Sequence, residues 1–324
     1  MTSIQSPIGS GFSAANTTAD VISSIDLTGK NVVVTGGYAG LGLETVRVLA
    51  GAGASVTVPT RDPARAEQAL GGISGTAIET MDLMDPVSID AFAQKLLARG
   101  EPLHILINNA GIMANPLTRD ARGYESQFST NHLGHFQLAV RLWPALKQAG
   151  GARVVALSSR GHKRGRIDFD DPNFTARMYD RWTAYGQAKT ANALFALHLD
   201  KLGEPHNVRA FSVHPGGIIT GLAKHMTQDE IRAVGAIDEQ GKPVLDPSKN
   251  MKTIEQGAAT TVWCATSPKL AGMGGVYCED CDIAKGLAAD STDHLGVMPW
   301  AYDAEAAERL WALSERLTGV RFIA

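Results

Sequence analysis

Residues 31–51 read NVVVTGGYAGLGLETVRVLAG, and this stretch decides the fold. Residues 31–35 are mostly β-branched and favour a strand, whereas residues 41–50 carry apolar side chains at helical spacing. A turn with three glycines at residues 36–40 joins the two segments. A strand that passes through a glycine-rich turn directly into a helix is typical of an α/β protein with a parallel sheet.

The same alternation of strand and helix continues along the rest of the chain. Strand candidates lie at residues 31–35, 55–58, 76–81, 104–107, 153–157, 209–213 and 275–277. Helix candidates lie at residues 41–50, 86–98, 125–147, 183–202, 255–266 and 304–317. Several strand candidates are unbroken apolar runs, as in strands that helices cover on both faces. The pattern predicts an α/β fold, a doubly wound parallel sheet of about seven strands in a single domain.

Three segments fall outside this alternation. Residues 1–28 are rich in Ser, Thr, Gly and Ala, and we predict a flexible N-terminal extension before a single domain at residues 29–324. Residues 161–181 and 216–252 are long and irregular, and both follow the carboxyl ends of strands, where open parallel sheets bind ligands. Both are candidates for substrate walls or a lid, and the second is the predicted substrate loop. Surface insertions without a ligand contact are the alternative.

The composition of the 324 residues excludes several classes of function. Lys and Arg number 30 against 33 Asp and Glu, so no broad basic field favours nucleic acid or an anionic membrane. No run approaches the roughly 20 apolar residues of a membrane span, and the N-terminus lacks the pattern of a signal peptide. We therefore predict a cytoplasmic protein whose partners are small molecules.

Neither the cysteines nor the histidines form a recognisable set of metal ligands. The cysteines are Cys264, Cys278 and Cys281. They are too few for a disulfide scaffold, and although the last two have the CxxC spacing of a redox dithiol or half a zinc site, no further ligands are spaced nearby. His132, His135 and His162 lack a completing carboxylate or thiol, and we predict packed or surface histidines. Ordinary thiols are favoured, and no metal site is predicted.

The turn after the first strand, Thr35 to Gly42, reads TGGYAGLG and has the features of a phosphate-binding loop. Gly36 allows a tight turn, Gly40 lets the backbone approach a dinucleotide, and Gly42 permits close packing of the helix. The N-terminus of that helix favours a negatively charged pyrophosphate. An ordinary turn also needs glycines, but the order of strand, loop and helix favours the dinucleotide.

The spacing TGxxxGxG resembles the short-chain dehydrogenase/reductase family, and further motifs of that family follow in order. Asp82-Leu83 comes after the third strand, Asn108-Asn109-Ala110-Gly111 after the fourth, and Pro215-Gly216, with Ile218 and Thr220, after the sixth. The resemblance covers residues 30–324 and implies a Rossmann-type fold that binds a nicotinamide dinucleotide. It implies cofactor contacts with Gly36, Tyr38, Gly40, Leu41, Gly42, Asp82, Leu83, Asn109, Ala110, Gly111, Pro215, Gly216, Ile218 and Thr220, in addition to Tyr185 and Lys189.

The residues at the end of the second strand bear on the choice of nucleotide. An NAD-preferring enzyme would place an Asp or Glu there to bond both ribose hydroxyls. This chain has Thr60, which does not repel a 2′-phosphate, followed by Arg61, which would hold that phosphate. The sequence therefore predicts NADP, with NAD less favoured. The alternative is that Arg61 is a solvated charge that pairs with Asp62 or Glu67.

Tyr185 and Lys189 stand four residues apart in a helix candidate, so the phenol and the ammonium lie on one face. Such a pair alone would more often be an ordinary helix surface, and the glycine loop gives it weight. Within the resemblance, Tyr185 is the proton-transferring phenol and Lys189 also binds the nicotinamide ribose. The lysine and the positive nicotinamide ring are expected to lower the pKa of the phenol from its usual value of about 10.

The resemblance implies two further catalytic residues. Ser159 follows the fifth strand and would hydrogen-bond the substrate oxygen, with Ser158 as a structural hydroxyl, and the swapped assignment stays open. Asn131, within STNHLGHF at residues 129–136, matches the residue that bends a helix and holds a water in the proton relay. Related enzymes commonly pair the helices that contain Asn131 and Tyr185 across subunits, which implies a homodimer or a homotetramer.

These features predict an NAD(P)-dependent oxidoreductase that interconverts an alcohol and a carbonyl by hydride transfer. The length between Ser159 and Tyr185 resembles the retinol-dehydrogenase-like branch and implies an apolar small molecule as substrate. Candidates for an apolar lid are Ile218, Leu222, Met226, Ile231 and Val234, which would serve equally as a helix packing stripe. Two alternatives stay open: a non-catalytic NADP-binding sensor or scaffold, and an epimerase that uses transient oxidation.

Overall fold

The computed structural model describes residues 4–323, which fold around one eight-stranded sheet. The strands are β1 (Asn31–Val34), β2 (Ser55–Thr60), β3 (Thr76–Thr80), β4 (Ile105–Asn108), β5 (Ala152–Leu157), β6 (Val208–His214), β7 (Val276–Glu279) and β8 (Asp282–Ile283). Their order is β3-β2-β1-β4-β5-β6-β7-β8, with β1 to β7 parallel and β8 antiparallel to β7. The predicted doubly wound sheet in a single domain is confirmed. The sequence pattern does not predict β8, because a strand of two residues is too short to show a periodicity.

Helices follow most of the strands. They are α1 (Thr18–Ile22), α2 (Gly40–Gly51), α3 (Pro63–Leu70), α4 (Pro86–Leu97), α5 (Ser126–Phe128), α6 (Gly134–Arg141), α7 (Trp143–Gln148), α8 (Arg181–Gly203), α9 (Gln228–Ala233), α10 (Ile254–Thr266) and α11 (Ala304–Thr318). Within residues 4–323, none of these helices is long and apolar enough to cross a bilayer.

The helices cover both faces of the sheet, and alternate residues of each strand point to opposite faces. Val32 and Val34 of β1 lie in one apolar core with residues of α2 and α10. Val33 lies in a second core with residues of α4, α6 and α8. Because both faces are covered, residues 32–34 of β1 and 105–107 of β4 are apolar on both faces, as the unbroken runs in the sequence indicate.

The continuous helix predicted at residues 125–147 is wrong. This segment consists of α5, a π-helical turn at Ser129–Leu133 (the π-turn), α6 and α7. Gly134 follows the π-turn, and a side chain there would collide with the carbonyl oxygen of Leu83. Pro144, in the first turn of α7, has no N–H group for a helical bond and separates α7 from α6. Apolar periodicity alone does not reveal either break.

Residues 4–28 pack against the domain, which corrects the prediction of a flexible extension for this part of the chain. Val21, in α1, and Leu27 are buried in the core beside α2 and α10. The Gln5 side chain donates to the carbonyl oxygen of Tyr277 at 2.9 Å and accepts from its N–H at 2.9 Å. Composition does not reveal this docking, because side-chain bonds to a distant backbone hold the segment. Residues 1–3 lie outside the described residues.

The last helix covers the helix that carries Tyr185. Residues 184–200 of α8 are all buried, because the sheet lies on one side and α11 on the other. Trp311 of α11 stacks on Phe195 of α8 with ring centres 6.0 Å apart. In the described structure no exposed face of this part of α8 remains to pair with a second subunit. The subunit pairing that the resemblance implies for this helix stays a prediction.

Candidate active site

The carboxyl ends of four neighbouring strands bring the predicted site residues to one edge of the sheet. The glycine loop (residues 35–42) follows β1, and the segment at residues 109–111 follows β4. Ser159 follows β5, and Pro215-Gly216 follows β6. Because β1, β4, β5 and β6 are consecutive in the sheet, these segments lie side by side. Ligands of open parallel sheets bind at this edge.

The glycine loop has the shape of a phosphate cradle. Gly36 and Gly40 have φ angles of 65° and 52°, in the region that L side chains rarely adopt. At Gly42 a side chain would collide with the carbonyl oxygen of Gly36. α2 begins at Gly40, and its N-cap residue, Ala39, makes no side-chain hydrogen bond to the first N–H groups of the helix. Such unsatisfied donors, together with the helix dipole, favour an anion.

Thr35 fastens the glycine loop to the segment after β4. Its Oγ1 accepts hydrogen bonds from the N–H groups of Asn109 at 2.9 Å and Ala110 at 3.0 Å. Nδ2 of Asn109 donates to the carbonyl oxygen of Thr35 at 2.8 Å. A Cβ atom at Gly36 would lie 3.0 Å from Cα of Ala110, so the two backbones are in close contact.

Residues after β6 approach the glycine loop from the other side. A Cβ atom at Gly40 would lie 3.3 Å from Cγ2 of Thr220. Ile218 and Leu41 both reach Gly257, where a Cβ atom would lie 2.7 Å from Cδ1 of Ile218 and 2.9 Å from Cδ2 of Leu41. The structure therefore brings two widely separated sets of predicted cofactor residues together.

Two arginines lie near the ends of β2 and the glycine loop. Thr60 is buried, and Arg61 is exposed with no ion pair to another residue in the 4–323 range. Asp62 instead caps α3 by accepting from the N–H of Arg65 at 3.2 Å. The Arg65 guanidinium lies 5.6 Å from the ring centre of Tyr38 in the glycine loop. The motifs do not reveal Arg65, and its one signal in the sequence is a second basic residue four positions after Arg61.

Asp82 and Leu83 form the turn after β3. The Asp82 carboxylate accepts from the N–H of Met84 at 2.9 Å, and its own N–H donates to Oγ of Ser88 at 3.0 Å. Leu83 is buried and touches Gly134 at the end of the π-turn. These two implied cofactor residues are thus fixed against the element that holds Asn131.

Ser159 and Tyr185 form the hydroxyl pair of the site. Ser159 begins the 3-10 helix Arg160–Arg164, and its Oγ accepts from the N–H of Gly161 at 3.0 Å. Burial raises the pKa of Tyr185 to about 12, and a hydrogen bond with the Ser159 hydroxyl opposes this rise. In the protein alone, desolvation of the phenolate is the larger effect on this pKa. The lowering expected from Lys189 together with the positive nicotinamide ring stays a prediction.

Lys189 lies beside the phenol and is buried with it. Its Nζ is 5.6 Å from the ring centre of Tyr185 and donates to the carbonyl oxygen of Leu157 at 2.9 Å. Burial lowers the pKa of Lys189 to about 8. Oγ of Ser158 donates to the carbonyl oxygen of Lys189 at 2.7 Å, so this hydroxyl holds the helix against β5. These contacts favour Ser159 over Ser158 as the substrate-facing serine.

Asn131 lies in the π-turn and brackets the backbone of Ile112. Its Oδ1 accepts from the N–H of Ile112, and its Nδ2 donates to the carbonyl oxygen of the same residue, both at 2.9 Å. A Cβ atom at Gly111 would lie 3.1 Å from Oδ1 of Asn131 and 3.7 Å from Nζ of Lys189. The structure therefore places Asn131 and Lys189 on either side of a glycine that leaves room between them.

Hydrogen bonds and an ion pair hold the two irregular segments against the rest of the structure. In residues 161–181, the Tyr179 hydroxyl donates to the carbonyl oxygen of Asn115 at 3.0 Å. The predicted substrate loop is closed at its base, where the N–H of Gly217 donates to the carbonyl oxygen of Asn250 at 2.7 Å. Its helix α9 is tied to the start of α8 by an ion pair between Glu230 and Arg181. The loop therefore docks beside the start of α8, the helix that carries Tyr185 and Lys189.

The remaining candidates from the sequence are interior residues. His132, His135 and His162 are buried, which agrees with packed histidines. The three cysteines are free thiols and are buried. Cys281 lies in the turn between β7 and β8, and its Sγ is 3.8 Å from Oγ1 of Thr260.

A family profile described as short chain dehydrogenase matches residues 30–231. The chain belongs to the short-chain dehydrogenase family. It is an oxidoreductase of this family and resembles its retinol dehydrogenases. It is 46% identical to a probable oxidoreductase of Streptomyces antibioticus over 294 residues, which cover 89% of this chain and 97% of that protein. It is 37% identical to retinol dehydrogenase 12 of Homo sapiens over 305 residues, which cover 92% of this chain and 89% of that protein.

Solved structures of the same fold support this membership. A crystal structure of an uncharacterised protein from Mycobacterium paratuberculosis is similar with a TM-score of 0.72 and 32% identity, covering 97% of this chain and 99% of that one. The NADP complex of RhlG from Pseudomonas aeruginosa is similar with a TM-score of 0.60 and 23% identity, covering 78% of this chain and 95% of that one. At that identity the second likeness concerns the fold alone.

Proposed function

We propose that this short-chain dehydrogenase is an NADP-preferring enzyme that interconverts an alcohol and a carbonyl. The observation that carries the proposal is the convergence of Ser159, Tyr185, Lys189 and Asn131 at the strand edge next to the glycine loop. Tyr185 and Lys189 are buried together although each is costly to bury, which is typical of functional groups. A non-catalytic sensor would have no need of this arrangement.

The residues present fit a nicotinamide dinucleotide. The glycine loop leaves a cradle that a side chain at Gly36 or Gly42 would fill, and the start of α2 supplies N–H donors for a pyrophosphate. Gly111 would leave room for the nicotinamide end between Asn131 and Lys189. When bound, the cofactor supplies or accepts the hydride. Its contacts are proposed for the glycine loop, Asp82, Leu83, Asn109, Ala110, Gly111, Tyr185, Lys189, Pro215, Gly216, Ile218 and Thr220.

The acid/base work falls to Tyr185. With a pKa near 12 the phenol is protonated at neutral pH and is ready to donate its proton to a carbonyl oxygen. The Ser159 hydroxyl, fixed by Gly161, would hydrogen-bond the same oxygen and orient it. Nζ of Lys189 donates one N–H to the carbonyl oxygen of Leu157, and its other N–H groups would bind the ribose. The charge of Lys189 would stabilise the phenolate that forms when Tyr185 gives up its proton.

The preference for NADP rests on Arg61 and Arg65. Arg61 has no described ion-pair partner that would compete with a phosphate, and Arg65 lies over Tyr38 at the same end of the loop. Guanidinium groups bind phosphate through charge-assisted and often bidentate hydrogen bonds. The end of β2 carries Thr60 in place of a carboxylate, so no negative charge there repels the 2′-phosphate.

We propose an apolar alcohol or carbonyl compound as the substrate. Four apolar side chains of the substrate loop are partly exposed, namely Ile218, Leu222, Met226 and Ile231. Partly exposed apolar side chains around a polar catalytic group suit a ligand that is apolar except at its reacting oxygen. The similarity to retinol dehydrogenases agrees with this class of substrate.

The test is a panel of carbonyl compounds and alcohols assayed by NADPH absorbance, with wild type and Tyr185→Phe. We expect turnover of apolar members by the wild type and a loss of at least about 100-fold in Tyr185→Phe, since general acid–base catalysis is worth about 10²–10⁴ in rate. Tyr124→Phe is the matched control, because its hydroxyl bonds Leu317 away from the site. Tight cofactor binding with no turnover would favour the sensor, and product of inverted configuration without net oxidation would favour the epimerase.

A further inference from the structure

His135 connects the π-turn to the glycine loop. It lies in the first turn of α6 and is 2% exposed. Its Nδ1 is 3.0 Å from the carbonyl oxygen of Asn131, and its Nε2 is 2.9 Å from Oγ1 of Thr35, 100 residues away in the chain. Both ring nitrogens therefore have partners, and each partner belongs to a different part of the active site.

The hydrogen bonds around this ring have only one consistent direction. A carbonyl oxygen only accepts, so Nδ1 carries the proton and donates to Asn131. Burial lowers the pKa of His135 to about 4, so the ring is neutral and Nε2 is an acceptor. Oγ1 of Thr35 already accepts from the N–H groups of Asn109 and Ala110. Its own proton can go to Nε2 at 2.9 Å or to the carbonyl oxygen of Ile107 at 3.4 Å, and the shorter distance favours Nε2. Both ring nitrogens of His135 therefore have a partner of the matching kind.

We propose that His135 is a positioning residue that fixes the π-turn, and with it the Asn131 side chain, relative to the cofactor cradle. This rests on the proposed function. The ring nitrogens of His135 are both used by Thr35 and Asn131, so the ring takes no part in the proposed proton transfer. It acts through the Asn131 backbone on one side and through the Thr35 hydroxyl on the other. The distance from Asn131 to Gly111 and Lys189 is therefore tied to the position of the loop that receives the dinucleotide.

A purely structural histidine is the alternative, and the same turn supplies a matched comparison. His132 is equally buried, and burial lowers its pKa to about 3. Its Nε2 is 2.7 Å from Oγ of Ser314, which in turn donates to the carbonyl oxygen of Leu310. His132 thus binds α11, away from the cofactor cradle, whereas His135 binds the cradle. If both residues only filled space, their replacement would have the same consequences.

The experiment compares His135→Phe and His132→Phe with the wild type by NADPH titration and by kcat and KM on a carbonyl substrate. We expect His135→Phe to weaken NADPH binding at least about fivefold and to lower kcat about 10–100-fold, since displacements near 1 Å can cost about 10² in rate. KM for the carbonyl should stay within about threefold. We expect His132→Phe to lower the melting temperature but to leave NADPH affinity and kcat within about threefold.

A second pair of variants covers the case in which His135→Phe does not fold. His135→Gln can keep a bond to Thr35, and His135→Asn can keep a bond to Asn131, so each should retain only part of the function. NADPH affinity and kcat near wild type in both would overturn the proposal, as would equal losses in His132→Phe. NADPH affinity is read without turnover. A wild type that binds NADPH but reduces nothing therefore refutes the proposed reaction, while the titration still decides the role of His135.

Discussion

At the reacting centre, burial moves two pKa values in opposite directions. The pKa of Tyr185 rises to about 12 because the phenolate loses hydration, and that of Lys189 falls to about 8 because the ammonium does. Near neutral pH the site therefore holds a protonated phenol beside a largely charged lysine. This is the protonation state that carbonyl reduction requires.

The pH dependence of the two reaction directions should differ. Below the lowered pKa the Lys189 charge is present, and it is lost as the pH rises through about 8. We expect kcat/KM for carbonyl reduction to be level from about pH 6 to about pH 8 and to fall above, while alcohol oxidation rises because it needs the deprotonated phenol. Initial rates in both directions across this range are the measurement. A reduction rate that stays level to about pH 10 would contradict the lowered pKa of Lys189.

Arg61 and Arg65 should act on the 2′-phosphate. We expect Arg61→Ala and Arg65→Ala each to weaken NADPH binding about tenfold, equivalent to about 1.4 kcal/mol, and to change NADH binding less than about threefold. Isothermal titration with both cofactors measures this. Arg141→Ala is the control, because Arg141 pairs with Asp90 on a distant surface. Equal losses for NADPH and NADH would show that the arginines do not bind the phosphate.

Among the elements, the substrate loop is tied to the start of α8 at two points, Glu230 and the carbonyl oxygen of His225, which accepts from Arg181 at 2.9 Å. Glu230 of α9 pairs with Arg181 and accepts from Nε1 of Trp182 at 3.3 Å, at the start of α8. Because the pair is partly exposed, its stabilisation is small, about 0.2–1 kcal/mol. These contacts therefore hold the loop near the site without making it rigid.

Removing the charge of Glu230 should loosen the loop. We expect Glu230→Gln to raise KM for the substrate about two- to fivefold and to leave NADPH affinity within about twofold, because Glu230 lies in α9, beyond the proposed cofactor contacts at the start of the loop. Steady-state kinetics and cofactor titration separate the two effects. Asp229→Asn is the neighbouring control, since Asp229 pairs only with the surface residue Arg232. A change in NADPH affinity as large as that in KM would contradict this role of Glu230.

The packing of α11 on α8 should be a major source of stability. Trp311 stacks on Phe195 and meets the ring of Phe136 edge-on with centres 4.9 Å apart. We expect Trp311→Ala to lower the free energy of unfolding by about 3–5 kcal/mol, the cost of a large cavity in a core. Urea unfolding measures it. Val87→Ala, at an exposed position, should change stability by less than about 0.5 kcal/mol, and a similar loss in both variants would be evidence against tight packing of α11.

For the whole molecule, the same packing bears on assembly. The resemblance implies a homodimer or a homotetramer through the helices of Asn131 and Tyr185, but residues 184–200 of α8 are buried within the chain, in part under α11. We therefore expect a single-chain mass near 34.3 kDa by light scattering on a sizing column. A mass of two or four chains would require either another interface or displacement of α11. An increase of that assembly on substitution of Trp311 would point to the second explanation, because the substitution weakens the packing of α11 on α8.

Sequence patterns were sufficient wherever the signal is local. The strand, glycine loop and helix at residues 31–51 follow from β-branched runs, glycine spacing and helical periodicity over about 20 residues. Tyr185 and Lys189 share a face because four residues make about one helical turn. Ser159 lies at the site because the carboxyl ends of parallel strands meet at one edge. By itself the sequence thus determines the α/β architecture and proposes the chemistry at its edge.

Only the tertiary structure decides what covers these elements and which distant groups bond to them. The docking of residues 4–28, the break at the π-turn and the place of Arg65 over Tyr38 depend on contacts with no local pattern. The pKa of Tyr185 is high because of what surrounds it, and part of α8 is buried because α11 packs on it. The desolvation and packing of a side chain depend on the residues that surround it in space. Those residues are brought together only by folding, so a local sequence pattern does not reveal them.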